Sequence, residues 1–145
     1  MSRMLLNLTA VYGLRAMATL AGLSPGESIN AATLSERTGV PQQYLSKVMR
    51  KLVVAKLVRS QRGHGGGFGL ARAAAKIPLA DVLRAIDIEL DGGCAFGYGQ
   101  CDPGNPCVLH PIWAKLQQSL DVWTNGCTLA DLGAAPAGRT RRRGS

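Results

Sequence analysis

At 145 residues and 46% hydrophobic, the chain fits one globular domain with a modest core, and nowhere does it carry the ~18 apolar residues of a membrane span. Arg3 precedes an amphipathic stretch with no small-residue cleavage site, so a signal peptide is not expected; the expected location is the cytoplasm, where reduced thiols favour metal or redox chemistry over disulfides. The net charge of +8 is uneven: residues 1–76 hold 11 Lys and Arg against 2 acids, residues 77–138 hold 2 against 7, and the tail from Arg139 adds four arginines, so a polyanion is expected on the first half.

Leu8 to Leu23 has helical spacing, with Val11, Leu14, Met17 or Ala18, and Ala21 on one stripe, and Ser24-Pro25-Gly26 ends it. Asn30 is placed to cap a short helix through Arg37, with Ile29 and Leu34 turned inward and Gly39 as its stop. Gly39-Val40-Pro41 is a tight turn with Pro41 placed to start the next helix, which runs from Pro41 to about Lys56 and is apolar at Leu45, Val48, Met49 and Leu52. Two short helices joined by a Gly-containing turn form a helix-turn-helix pattern. Leu57–Ser60 and Phe68–Leu70 flank a glycine-rich tip and predict a β-hairpin, which after such a helix is a wing.

Pro78 to Ile88 reads as a further helix and Asp91 to Cys107 as loop. From Pro111 on, Ile112, Trp113, Leu116, Leu120 and Trp123 recur at steps of three and four over about four turns, a stripe wide enough to pack against a second copy of the chain. Thr128 to Leu132 adds a turn, and beyond Ala134 small residues and arginines predict disorder. The organisation expected is mostly α with a small β-hairpin. Residues 1–76 form a winged helix-turn-helix DNA-binding region, 77–133 a cluster loop and long dimerisation helix, and 134–145 a disordered basic tail.

A helix in the major groove presents its first residues to base edges, here Gln42, Gln43 and Ser46; glutamine pairs bidentately with adenine. Lys47, Arg50 and Lys51 suit phosphates, supplying affinity and salt dependence rather than sequence choice. Arg59, Arg62 and His64 flank Gly65 and Gly66, whose missing side chains allow close approach along the minor groove. Alone, such a basic helix is ordinarily a solvated face and three glycines a linker. No Gly-Lys-Ser/Thr follows the glycines, which disfavours a phosphate-binding loop.

Cys94, Cys101, Cys107 and His110 fall within 17 positions, separated by six, five and two residues. Structural zinc sites ordinarily use paired knuckles with two to four intervening residues, and only Cys107 and His110 are so spaced. Longer gaps through Gly and Pro suit an iron–sulfur cluster, whose two irons spread the thiolates apart. Three thiolates on a dicationic two-iron core leave one net negative charge, which would face the start of the Pro111 helix. A histidine ligand binds only when neutral, so its bond weakens at acidic pH. A lone Cys is most often a small buried hydrophobe, and Cys127, outside the group, reads as a core or surface thiol.

These motifs resemble the IscR/NsrR-type family of winged-helix transcriptional regulators from about Leu6 to Leu132. The resemblance is carried by Leu8-Thr9 with Tyr12–Met17, by the wing motif Arg62-Gly63-His64-Gly65-Gly66-Gly67-Phe68, and by the three-cysteine loop running into Leu109-His110-Pro111-Ile112-Trp113. It implies a homodimer on palindromic or near-palindromic operators, whose DNA binding changes as a cluster is gained, lost or oxidised. The subgroup sensing iron–sulfur status is most similar. It implies a [2Fe–2S] cluster on Cys94, Cys101, Cys107 and His110, although the first gap is one residue longer than that subgroup's pattern. The nitric-oxide-sensing subgroup uses a [4Fe–4S] cluster with an acidic ligand from the first helix, and Leu8–Leu14 contains no Asp or Glu.

The expected function is therefore a homodimeric DNA-binding regulator tuned by a cluster that senses iron–sulfur, redox or nitrosative status. Its partners are a double-stranded operator and a second copy, with no membrane and no small-molecule substrate. The alternatives are a zinc-stabilised regulator without sensing, or a small electron-transfer protein, which would leave residues 1–76 without a role. No paired carboxylates, nucleophile–base set or nucleotide loop suggests an enzyme.

Overall fold

In the computed structural model, which describes residues 7–63, 66–88, 102 and 104–133, helix α1 spans Leu8–Ala21 and begins where the Asn7 side chain accepts the Ala10 N–H. Asn30 starts α2 (Ala31–Thr38) in the same way, its Oδ1 accepting the Thr33 N–H at 2.8 Å. The helix stops at Gly39, whose φ of +69° lets its N–H reach back to the Ser35 carbonyl. Helix α3 (Gln42–Val54) follows at once, with Pro41 as its N-cap rather than its first residue. Leu45, Val48, Met49 and Leu52 form its buried face, as their spacing predicts.

Strands β1 (Val58–Gln61) and β2 (Gly67–Leu70) pair antiparallel, with Val58 opposite Leu70 and Gln61 opposite Gly67. The wing does not stand alone. Ile29 and Phe68 exchange backbone hydrogen bonds at 3.0 and 2.7 Å, so the extended residue before α2 becomes a third rung on the hairpin. A 3₁₀ turn (Ala74–Lys76) leads into α4 (Leu79–Ala85), which is shorter than the sequence pattern suggests. Asp87 adopts a positive φ and ends it: its N–H bonds Arg84 O, and that of Ile88 bonds Leu83 O. Helices α5 (His110–Gly126) and α6 (Leu129–Gly133) complete the order.

The inward face of α1 differs from its sequence stripe. Ala10, Gly13, Ala16, Met17 and Leu20 are buried, while Val11, Leu14 and Ala21 lie half-buried at the flanks. Helix α1 is surrounded by α2, α3, α4, α6 and β2, and its small residues take the sides where those neighbours come near. One core joins the basic and acidic halves, from Leu34 and Leu45 to Ile77, Leu83 and Ile86. Leu129 of α6 enters it, held by a bridge in which Leu79 N–H bonds Cys127 O and Leu129 N–H bonds Ile77 O, both at 3.0 Å. Among the described residues no helix is long and apolar enough to cross a membrane.

Candidate nucleic-acid interface and cysteine–histidine site

Because Leu45, Val48, Met49 and Leu52 are drawn into the core, helical periodicity turns Gln42, Gln43, Ser46, Lys47, Arg50 and Lys51 to the surface, and all six are exposed. Helix α3 contains no acidic residue, and no side chain caps its N-terminus. Its first N–H groups and the positive end of its dipole are thus open to an anion. Ser46 donates its hydroxyl to Gln42 O at 2.9 Å, which leaves the oxygen lone pairs facing outward. Lys47 and Arg50 have no ion-pair partner among the described residues. Lys51 does: its Nζ lies 2.6 Å from Asp87 Oδ2.

On the wing, Arg62 is exposed, and Gly66 closes the tip through its N–H to Gly63 O at 2.9 Å. Arg59 is committed inward: its Nη2 donates to Glu27 O at 3.1 Å and crosses Gly69 so closely that a methyl group there would meet it at 2.7 Å. It clamps the wing to the turn after α1. His64 and Gly65 lie outside the described residues. Within the basic residues 1–76, α3 packs against β1 of the wing, and Arg59 serves as a strut in this conformation.

Two features of this region had no sequence signal. Tyr12 of α1 and Tyr44 of α3 stand with ring centroids 6.2 Å apart, within an open apolar groove of about 700 Å³ that Leu8, Val54 and Ala85 also line. Asp87, the partner of Lys51, is 36 residues away in sequence, and nothing local marks it as a neighbour of α3.

Of the cysteine–histidine set, Cys94 and Cys101 lie outside the described residues; Cys107 and His110 lie within them. The His110 N–H bonds Cys107 O at 3.1 Å, closing one turn that holds the two residues together. Cys107 is a half-buried free thiol. His110 opens α5, with Pro111 in its first turn as the sequence suggests, and neither a capping side chain nor an acid shields this helix start. His110 Nδ1 is buried without a hydrogen-bond partner among the described residues. An orphaned buried ring nitrogen costs about 1–3 kcal/mol, a deficit that a metal would remove. A soft thiol on a residue one turn from an imidazole nitrogen that is unpaired among the described residues thus fits a metal or cluster site. Cys127 sits elsewhere, at the end of α5, half-buried against the core.

Known proteins bear on both sites. Residues 6–135 match the Rrf2 family, described as an iron-dependent transcriptional regulator. The HTH-type transcriptional regulators IscR of Vibrio campbellii and of Escherichia coli O1:K1 are 35% and 34% identical to this chain over 121 residues. Those residues are 83% of this chain and 72% and 75% of the two relatives. Among solved structures, T. potens IscR superposes with a TM-score of 0.71 at 28% identity, covering 90% of this chain and 86% of its own. CymR of B. subtilis, the global cysteine regulator, superposes at 0.78 over 92% and 98%; at 20% identity this is a likeness of fold. The resemblance drawn from the wing and the cysteine loop is borne out, as is the winged-helix architecture. The chain belongs to the Rrf2 family of iron-dependent transcriptional regulators, DNA-binding proteins and not enzymes.

Proposed function

We propose that this regulator binds operator DNA as a homodimer and that its DNA binding is tuned by an iron–sulfur cluster, [2Fe–2S] in type, held by Cys94, Cys101, Cys107 and His110. The observation that carries this reading is the buried, unpartnered Nδ1 of His110 one turn from the Cys107 thiol. When bound, such a cluster supplies a site whose charge and integrity respond to iron supply, oxidants or nitric oxide. The three cysteines hold it as thiolates, and His110 contributes a neutral nitrogen at the uncapped, positive start of α5, where excess negative charge is favoured. Gln42, Gln43 and Ser46 read base edges, Lys47 and Arg50 contact phosphates, and Arg62 and His64, next to glycines in the sequence, are the candidates for the minor groove.

Helix α5 supports the dimer. Ile112, Val122 and Trp123 are 77%, 66% and 39% exposed, and Thr124 is its only buried residue among those described. So much apolar surface on one helix suits a second copy. With α5 joining two reading heads and starting at His110, ligation state would set the spacing of those heads on an operator.

The test is anaerobic purification followed by iron, sulfide and zinc analysis and a visible spectrum. Two irons and two sulfides per chain are expected, with charge-transfer bands that shift or bleach in His110→Ala while the far-UV circular dichroism stays unchanged. A colourless protein with one zinc per chain would overturn the cluster. An unchanged His110→Ala spectrum would remove His110 from the ligand set.

A further inference from the structure

Three cations line the exposed side of α3, and one of them is already taken. Lys51 Nζ sits 2.6 Å from Asp87 Oδ2, while Lys47 and Arg50 have no ion-pair partner among the described residues. Asp87 is held firmly. It follows the buried Val82, Leu83 and Ile86, and the paired hydrogen bonds from Asp87 N–H to Arg84 O and Ile88 N–H to Leu83 O lock it at φ +61°. Helix ends of this form ordinarily place glycine in that left-handed position, because any Cβ there is strained. An aspartate in its place keeps part of that backbone cost and puts a carboxylate, itself 76% exposed, within reach of α3.

Lys51, by contrast, is a flexible four-carbon arm with its ammonium in solvent, one helical turn beyond Lys47 and adjacent to Arg50. The same ammonium can meet Asp87 or a DNA phosphate, but its charge is spent on one. We propose that Asp87 is a positioning residue that holds Lys51 back from the DNA and so sets how many phosphate contacts the reading helix makes. DNA and the α4 carboxylate compete for one charge. Asp87 also lies seven positions before Cys94 in the chain, so this ion pair ties the end of α4, after which the cysteine-bearing segment follows in sequence, to α3. The inference rests on the reading of α3 as the DNA-contacting helix.

The experiment measures binding of the full-length protein to a mixed-sequence duplex of about 30 base pairs by fluorescence anisotropy, across about 50 to 200 mM salt. A mixed sequence suffices because phosphate contacts are blind to sequence. Asp87→Asn and Asp87→Gly should both bind more tightly, with the slope of log K against log salt steeper by about 0.9 per reading head. Their advantage should therefore shrink about three- to fourfold per head over that salt range. Agreement between the Gly and Asn variants shows that the carboxylate, not the backbone strain, is responsible. In a Lys51→Ala background, Asp87→Asn should do nothing. An unchanged salt slope, or the same gain without Lys51, overturns the proposal and leaves the α3 reading standing. If Lys47→Ala and Arg50→Ala leave the slope unaltered, the α3 reading itself falls.

Discussion

Replacing Gly67 with alanine tests how the wing is tied to the reading head. Gly67 opens β2 at φ +150°, opposite the chain just before α2. A methyl group there would lie on the Ile29 carbonyl, within 2.5 Å of Ile29 C and 2.8 Å of Asn30 N. All three obstacles are backbone, so no side chain can swing aside. Relief requires the hairpin to move off Ile29, which breaks the two Ile29–Phe68 hydrogen bonds at 3.0 and 2.7 Å. Each bond contributes about 0.5–1.5 kcal/mol net, and the strained φ adds about 1–3 kcal/mol.

The sum is roughly 2–6 kcal/mol, a large part of the ~5–15 kcal/mol that holds a domain together. For a chain of this size it corresponds to a Tm lower by about 7–20 °C. The natural control is Gly39→Ala: its φ is +69°, but nothing lies within 4 Å of the added methyl, so only the left-handed backbone is penalised, at about 1–2 kcal/mol. Urea unfolding followed by circular dichroism gives both values. A Gly67→Ala loss no larger than that of Gly39→Ala would refute the argument that the wing is pinned through this contact.

Two further outcomes follow from the same geometry. Asn30→Ala removes the cap from α2 and should cost about 1 kcal/mol in urea unfolding, whereas Asn30→Ser, which can still accept the Thr33 N–H, should retain most of it; equal losses would mean that the 2.8 Å bond is not the source. Ile112→Glu places a charge on an exposed apolar face of α5, so sedimentation should show a dimer becoming monomer with unchanged helix content, and a persistent dimer would place the interface elsewhere.

Much of the site is legible in the order of residues alone. Asn30, Gly39 and Pro41 announce the two short helices because caps and turns are decided by neighbours within four residues. The four apolar residues of α3 expose the reading face because a helix has one period. The cysteine and histidine spacing is likewise a property of the chain, and the structure adds the buried His110 nitrogen, unpaired among the described residues. Arg59 is less transparent. Its charge suggests DNA, yet the fold uses its guanidinium to reach the Glu27 carbonyl, a partner 32 residues distant.

By itself, then, the sequence determined the local grammar: the helix-turn-helix, the glycine wing, the basic half and the spacing of three cysteines and a histidine. Only the tertiary structure decided which side of α1 is buried, that Ile29 joins the wing, that Leu129 returns to the core, and that Asp87 engages Lys51. The division has a physical cause. Periodicity and capping act over one or two turns, whereas these four features depend on surfaces brought together from distant parts of the chain, where close packing selects among faces that the pattern leaves equivalent.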